Sequence, residues 1–397
     1  MIPGSRRAVL AVAIGAIALD TLLLGLIVPL LPEIRSRTGA GEAAVGLALA
    51  AYAIPLALVS IPLGILADRI GRRPLLVAGL LLTAAGSLLI AVSDSLWVLI
   101  AGRMVQGVGA AGSWIAALAL VSDLALPGRR GEAIGFALAA NSAGAIGGPA
   151  LGGVTGDTLG FAAPFVIVAA LGLVLAAGAL AVVVGAPPDR VDRGQALLRM
   201  LDVVRRPAVL PATAIAIGGA TAIGLVEVVA PLDLDERLGL SATAIGVIFG
   251  GAIAVDAAVA PVAGRVGDRA GRLPVAASGL ALIAASAPLL VLLDGTIGAL
   301  AGLCVFGAGV SAAFAAAVPW LDESFGALDR GMAYGALNLL YSIGYAAGPL
   351  LAGTMYQASG PELPYWSLGA AAALGAAALA AAGARRRRAP APEPARR

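Results

Sequence analysis

Pro62-Leu63-Gly64-Ile65-Leu66-Ala67-Asp68-Arg69-Ile70-Gly71-Arg72-Arg73-Pro74 is a short basic stretch set between two long apolar runs. Its charges are too costly to place among acyl chains, so it marks a turn at a membrane face. It returns in degraded form as Pro261-Val262-Ala263-Gly264-Arg265-Val266-Gly267-Asp268-Arg269-Ala270-Gly271-Arg272-Leu273-Pro274. Asp68 and Asp268 stand 200 residues apart, and so do Pro74 and Pro274. A duplicated turn at that separation divides the chain into two related halves.

Composition supports a membrane protein. The 397 residues are 60% hydrophobic and 12% charged, with a mean hydropathy of +0.97. Soluble domains carry roughly 25% charged residues. Half that share leaves too little polar surface to cover so large an apolar core. A transmembrane β-barrel is excluded as well, because its strands alternate apolar and polar residues over about 10 positions. The apolar runs here are continuous, at about 8–32, 43–66, 74–93, 96–122, 131–156, 161–186, 208–232, 243–263, 274–293, 297–320, 331–356 and 365–384. Each meets the criterion of about 20 residues for a helix that crosses a bilayer. The sequence therefore predicts an all-α membrane protein with 12 transmembrane helices in two pseudo-symmetric six-helix bundles.

The arginines set the orientation. Every basic residue is Arg. Arg6 and Arg7 precede the first run; Arg69, Arg72 and Arg73 follow the second, and Arg129 and Arg130 the fourth. Arg265, Arg269 and Arg272 follow the eighth run, Arg330 the tenth, and Arg385 to Arg388 the last. The alternate loops hold Asp94, Asp157, Asp294 and Glu362, with Arg35, Arg37 and Arg237 as cations. The positive-inside rule places both termini in the cytoplasm; an even number of spans requires the same. The first run is too long for a cleaved signal peptide and carries Asp20 inside it.

The expected organisation is an N-terminal bundle at 1–186, a cytoplasmic linker at 187–207, a C-terminal bundle at 208–384 and a basic tail at 385–397. In the linker, Leu197, Leu198 and Leu201 against Arg199, Asp202, Arg205 and Arg206 read as a short amphipathic helix on the membrane surface. The tail reads as a headgroup anchor. The repeat extends beyond the turns. Arg130-Gly131 pairs with Arg330-Gly331, Gly148-Pro149 with Gly348-Pro349, and Gly153 with Gly353, all at the same 200-residue offset.

The basic stretch, through Gly64, Asp68, Arg69, Gly71, Arg72 and Arg73, resembles the signature between helices 2 and 3 of the major facilitator superfamily. That family consists of secondary transporters built from two parallel six-helix repeats. The second copy keeps Asp268 and Arg269 but has Leu273 in place of the last arginine. The resemblance implies a latch. The acid matching Asp68 would dock at the N-terminal end of helix 11, whose partial positive charge attracts a carboxylate. Asp123, at the end of the fourth run, is expected to pair with Arg69. A plain positive-inside anchor remains the alternative.

Ala143-Gly144-Ala145-Ile146-Gly147-Gly148-Pro149-Ala150-Leu151-Gly152-Gly153, in the fifth run, sets small residues at helical spacing around a proline. Small residues let backbones approach closely, and the proline removes a helical hydrogen bond. The segment resembles the helix 5 motif of the superfamily's antiporters, which the family associates with exporters. Generic small-residue packing is the other reading.

Asp20, Arg103, Glu227 and Asp256 stand well inside apolar runs. Such groups are costly, so they face a bundle interior or a water-filled cavity. Arg103 lies in the fourth run, within Leu99-Ile100-Ala101-Gly102-Arg103-Met104-Val105-Gln106-Gly107. The segment resembles the antiporters' helix 4 motif, in which this Arg is linked to proton coupling. Asp20, in Leu19-Asp20-Thr21, precedes Pro29 and Pro32 on the first run. This spacing resembles helix 1 of drug:proton antiporters related to vesicular monoamine transporters, whose matching Asp handles amine or proton. A purely structural Asp20–Arg103 ion pair remains open. Glu227 lies on the seventh run, the counterpart of the first, and could face Asp20 across a cleft; the same relatives carry an acid there. Asp256, on the eighth run, is either a third cavity acid or a partner of Arg265. One departure stands out: Asn338 occupies the position where the vesicular relatives carry an acid on helix 11, which puts their coupling scheme in doubt here. Asn338, Asn141, Gln106 and Tyr341 are candidates to hydrogen-bond substrate or neighbouring helices.

No enzyme motif is present. There is no histidine, the lone Cys304 allows no intrachain disulfide, and no phosphate-binding lysine loop occurs. No metal or cofactor is expected, and the energy source would be a proton gradient. The expectation is a monomeric inner-membrane exporter of lipophilic or cationic small molecules, exchanging them for protons by alternating access. Its partners would be substrate, protons and the lipid bilayer, with no nucleic acid. A major facilitator carrier for a metabolite such as a sugar or amino acid is the alternative, and a non-transport membrane scaffold a remote one.

Overall fold

The computed structural model describes residues 3–126, 129–183, 202–325 and 330–388. The long helices are α1 (Pro3–Leu26), α2 (Glu42–Ile70), α3 (Arg72–Ala91), α4 (Leu96–Asp123), α5 (Arg130–Leu159) and α6 (Ala162–Val182), followed by α7 (Leu210–Leu238), α8 (Ala242–Ala270), α9 (Arg272–Leu292), α10 (Gly295–Phe325), α11 (Arg330–Ser359) and α12 (Glu362–Arg388). Val28–Leu30 and the short helix Leu31–Thr38 continue α1, where Pro29 and Pro32 interrupt it. Among the described residues, eleven helices are long and apolar enough on their own to cross a membrane. The helix Arg330–Ser359 is outside that set; Asn338, Tyr341, Ser342 and Tyr345 dilute its apolarity. Most of the expected linker lies outside the described residues, as do Leu197 to Leu201 and the tail beyond Arg388. From residue 202 onward, Val203, Val204 and Val209 are buried against the C-terminal bundle.

The duplicated basic turn is tighter than its sequence implied. Helix α2 runs to Ile70 and α3 starts at Arg72, so Gly71 alone forms the connection, at φ +88°. Gly271 does the same between α8 and α9 at φ +89°. That region is costly for any residue with a Cβ, so glycine is needed at both turns.

Within each half, glycine seats two helices backbone to backbone. A Cβ on Gly144, Gly148 or Gly152 of α5 would collide with main-chain oxygens of Ala18, Leu22 and Leu26 on α1. In the other half, Gly344 and Gly348 of α11 meet Ile217 and Thr221 of α7 in the same way. The halves then join through a crossed pair of contacts. Gly46 of α2 lies against the carbonyl of Pro349 on α11, and Gly246 of α8 against the carbonyl of Pro149 on α5. These four residues are two pairs offset by 200. An association with no hydrophobic drive inside lipid depends on such close packing.

The join lies at one face. Among the described residues, every hydrogen bond or ion pair between the halves sits at the face opposite Gly71 and Gly271. The cleft between the bundles is therefore tied shut at one end, and among the described residues no hydrogen bond or ion pair crosses it at the other.

Candidate functional site

In the N-terminal half, α1 carries Asp20, only 4% exposed. Ser113 of α4 places its hydroxyl 3.0 and 2.9 Å from the two carboxylate oxygens. That hydroxyl also lies 3.0 Å from the Gly109 carbonyl. With one proton to give, it supplies the carboxylate at most one hydrogen bond. Among the described residues no cation pairs with Asp20.

Arg103 occupies a different level of the same helix. Ten residues separate it from Ser113, about 15 Å along the axis at about 1.5 Å per residue. The expected alternative of a structural Asp20–Arg103 pair is thus absent. Arg103 is fully buried. Its Nη1 donates to Gln106 Oε1 at 3.1 Å, and Gln106 Nε2 donates to Ser87 Oγ at 2.9 Å. The guanidinium lies over the Tyr52 ring at 4.6 Å. Among the described residues its Nε and Nη2 have no hydrogen-bond partner.

In the C-terminal half, half-buried Glu227 on α7 accepts a hydrogen bond from the Tyr345 hydroxyl on α11. Tyr345 stacks on Tyr341, one turn earlier, with centroids 5.7 Å apart and planes 10° from parallel. Phe314 of α10 tilts against Tyr341 at 6.1 Å. Tyr345 also packs with Ala53 of α2 and Ala220 of α7, so the aromatic wall reaches the N-terminal half. Asn338 is half-buried beside the wall, and its carbonyl accepts from Ser342 Oγ at 2.8 Å. Asn141 takes part through its main chain, accepting from Thr21 Oγ1 at 3.0 Å.

Asp256 does not meet Arg265, which is exposed nine residues further along α8, about 13 Å away along the axis. It sits instead beside α10, where Ser311 Oγ donates to its main-chain carbonyl at 2.7 Å.

At the arginine-rich face, Asp123 pairs with Arg72 at 2.8 Å, not with Arg69. Arg69 and Asp123 are exposed, and Gly71 sends the chain around so that Arg72, the first residue of α3, reaches the end of α4. The second half repeats the pair as Arg272 with Glu323, at the 200-residue offset. Asp268 and Arg269 are exposed, and Gly64 is buried in α2. The side chains of Asp68 and of residues 330–335 lie outside the described ones, and the expected latch falls on them.

The closed face carries contacts that sequence reasoning missed. Asp157, ending α5, accepts from the main-chain N–H of Thr243 at the start of α8 at 2.7 Å. Gln357, ending α11, accepts from the main-chain N–H of Ala43 at the start of α2 at 3.2 Å. Both partners stand at the 200-residue offset. Arg35 bridges Glu42 at 3.3 Å and Glu236 of the other half, and Tyr356 donates to Glu236 at 2.7 Å. Ser113, Tyr52, Tyr345 and Phe314 were also missed. Tyr345 alone carried a usable signal, its spacing of four residues from Tyr341.

The family model described as Major Facilitator Superfamily matches residues 13–232 and 210–397. Among curated proteins, the chain is 36% identical over 137 residues to Inner membrane transport protein YajR of Escherichia coli, covering 34% of this chain and 30% of that one. It is 25% identical over 342 residues to Multidrug resistance protein 1 of Bacillus subtilis, covering 84% of this chain and 86% of that one. The chain spans less than half the length of the first curated relatives it matches. Among solved structures, a bacterial homolog of the human lysosomal transporter Spinster, in an inward-facing and occupied conformation, superposes with a TM-score of 0.79 at 19% identity, over 97% of this chain and 98% of that one. Two six-helix repeats, a cleft closed at one end and a family model spanning both halves lead to one conclusion: the chain belongs to the Major Facilitator Superfamily of transporters.

Proposed function

We propose that this transporter exports lipophilic cations from the cell in exchange for protons. With the arginine-rich face in the cytoplasm, the untied end of the cleft faces inward and the clamped end faces out. Both termini are then cytoplasmic, in the inner membrane, and a single chain contains the whole cleft.

The observation that carries this reading is Asp20, a buried carboxylate given at most one hydrogen bond, by Ser113, and no cation. A charge in such a place is costly unless neutralised. A proton or a bound cation can each neutralise it, but both at once are redundant. Competition between the two is the physical basis of antiport. Glu227 offers a second carboxylate beside the aromatic wall of Tyr341 and Tyr345, where a lipophilic cation gains both charge neutralisation and ring contact. Arg103 does not pair with Asp20, and in this reading it biases the protonation of the cleft acids. Asn338, Asn141 and Gln106 serve as polar neighbours of the cleft. The similarity to a multidrug resistance protein supports the substrate class.

A second reading, a carrier for a polar metabolite, draws on the two guanidinium nitrogens of Arg103 that have no partner among the described residues, which suit an oxygen acceptor. The experiment that separates them is transport into proteoliposomes with an imposed pH gradient. Cationic dyes should move against their gradient only when the pH gradient is present, and sugars and amino acids should not move. Asp20→Asn should abolish substrate-induced proton release from purified protein; undiminished release would remove Asp20 from coupling.

A further inference from the structure

Asp256 is an intramembrane acid that the scheme above does not use; Asp233, buried near the end of α7, is paired with Arg237. Asp256 lies near the middle of α8, nine residues from Val247, which is 58% exposed. Nine residues at about 100° each bring Asp256 half a circle round, onto the packed face that carries the buried Ile245, Phe249 and Ala252. It is half-buried, and its Cβ faces α10 near Gly307, where an added methyl would sit 3.6 Å from it. No cation pairs with it among the described residues. An intramembrane carboxylate without a cation partner is a functional group by default.

Its surroundings lead back to Glu227. Ser311, bonded to the Asp256 carbonyl, stands one turn before Phe314 on α10. Phe314 meets Tyr341, which stacks on Tyr345, which donates to Glu227. Tyr341 is within electrostatic reach of both acids. A continuous line of contacts therefore joins the Asp256 main chain to the Glu227 carboxylate through Ser311, Phe314, Tyr341 and Tyr345. The N-terminal half has nothing similar: the positions 200 residues earlier are Leu56 and Ile27.

We infer that Asp256 is a further cation-binding carboxylate of the cleft, beside Asp20 and Glu227, and fits the transporter to dications, with one positive centre at Glu227, the other at Asp256, and a flat aromatic body against Tyr341. A monocation does not need Asp256. The inference rests on the reading of the protein as a cation exporter.

Ethidium and propidium test it, because they share one aromatic ring system and propidium adds a second, quaternary cationic centre. Binding of each to purified full-length protein is measured by fluorescence. For the wild type, propidium should bind at least as tightly as ethidium. Asp256→Asn should weaken propidium by about tenfold and change ethidium by less than about twofold, while Asp256→Glu retains propidium binding. The conservative variant separates loss of the charge from loss of the fold. Equal weakening of both dyes, or no change in either, overturns the inference. Wild-type binding of ethidium without propidium also overturns it but leaves the exporter reading intact. Binding of neither dye removes both.

Discussion

The two halves are alike in framework and unlike in chemistry. Gly71 and Gly271, Gly148-Pro149 and Gly348-Pro349, Arg72–Asp123 and Arg272–Glu323 all recur at the 200-residue offset and occupy matching places. The ionisable groups of the interior do not recur. Asp20 and Arg103 correspond to Ala220 and Leu303, while Glu227 and Asp256 correspond to Ile27 and Leu56. A hydroxyl holds Asp20 in one half; a phenol and an aromatic wall hold Glu227 in the other. The shared residues are those whose backbones touch or turn. The unshared ones are the buried or half-buried charges of the interior. Duplication fixed a packing plan, and the site was placed on it asymmetrically.

That contrast can be broken most forcefully at the glycines. Gly148→Leu and Gly348→Leu should each destabilise the protein by about 3 kcal/mol, the upper range of overpacking, because the obstacles are main-chain atoms. Gly147→Leu, with nothing within 4 Å of its Cβ position, should be tolerated. Thermal unfolding in detergent, followed by size-exclusion, reads all three; a stable Gly348→Leu beside an unstable Gly148→Leu would end the claim of equivalent frameworks.

A smaller effect is expected at the closed face, where the halves share a design but not a charge. Asp157 gives the first turn of α8 a carboxylate acceptor and Gln357 gives the first turn of α2 an amide acceptor, each acting across the halves as an N-cap does within a helix. Losing a helix N-cap costs typically about 1 kcal/mol, and a neutral hydrogen bond is worth about the same or less. Asp157→Ala should therefore shift the population towards opening at that face by about fivefold, and Gln357→Ala by about twofold. Distances between spin labels on α5 and α8, and on α2 and α11, report the shift. A larger effect from Gln357→Ala would reverse the assignment of the stronger clamp.

The smallest effects belong to the paired charges at the arginine-rich face. Arg72 and Asp123 keep 28% and 45% of their side-chain surface exposed, and Arg272 and Glu323 keep 23% and 67%. Exposed ion pairs contribute about 0–1 kcal/mol. Arg72→Ala and Arg272→Ala should leave thermal stability nearly unchanged and equal to each other. A marked loss in one alone would show that its turn carries more than orientation.

Much of this was legible in the chain before any coordinates. The continuous apolar runs can only be membrane helices, because nothing else buries so many residues with so few charges. The arginine loops gave an orientation, and the repeated turns gave two halves. The cost of a charge in hydrocarbon was enough to single out Asp20, Arg103, Glu227 and Asp256. Their pairing was not legible. It depends on which rung of α1 faces which rung of α4, and a shift of ten residues along a helix separates Arg103 from Asp20 without leaving a mark in the sequence. For the same reason Asp123 was assigned to Arg69 when a one-residue turn presents Arg72.

Length, hydropathy and the 200-residue repeat by themselves determined a twelve-helix, two-bundle membrane protein with a few buried charges, because each of those features is a local or periodic property of the chain. Only the tertiary structure decided that Asp20 answers to Ser113, that Glu227 is held by Tyr345, and that Asp157 and Gln357 clamp the far face. Those contacts join helices separated by about a hundred to three hundred residues. Rotation and rise about each helix axis set them, and no local pattern records either quantity.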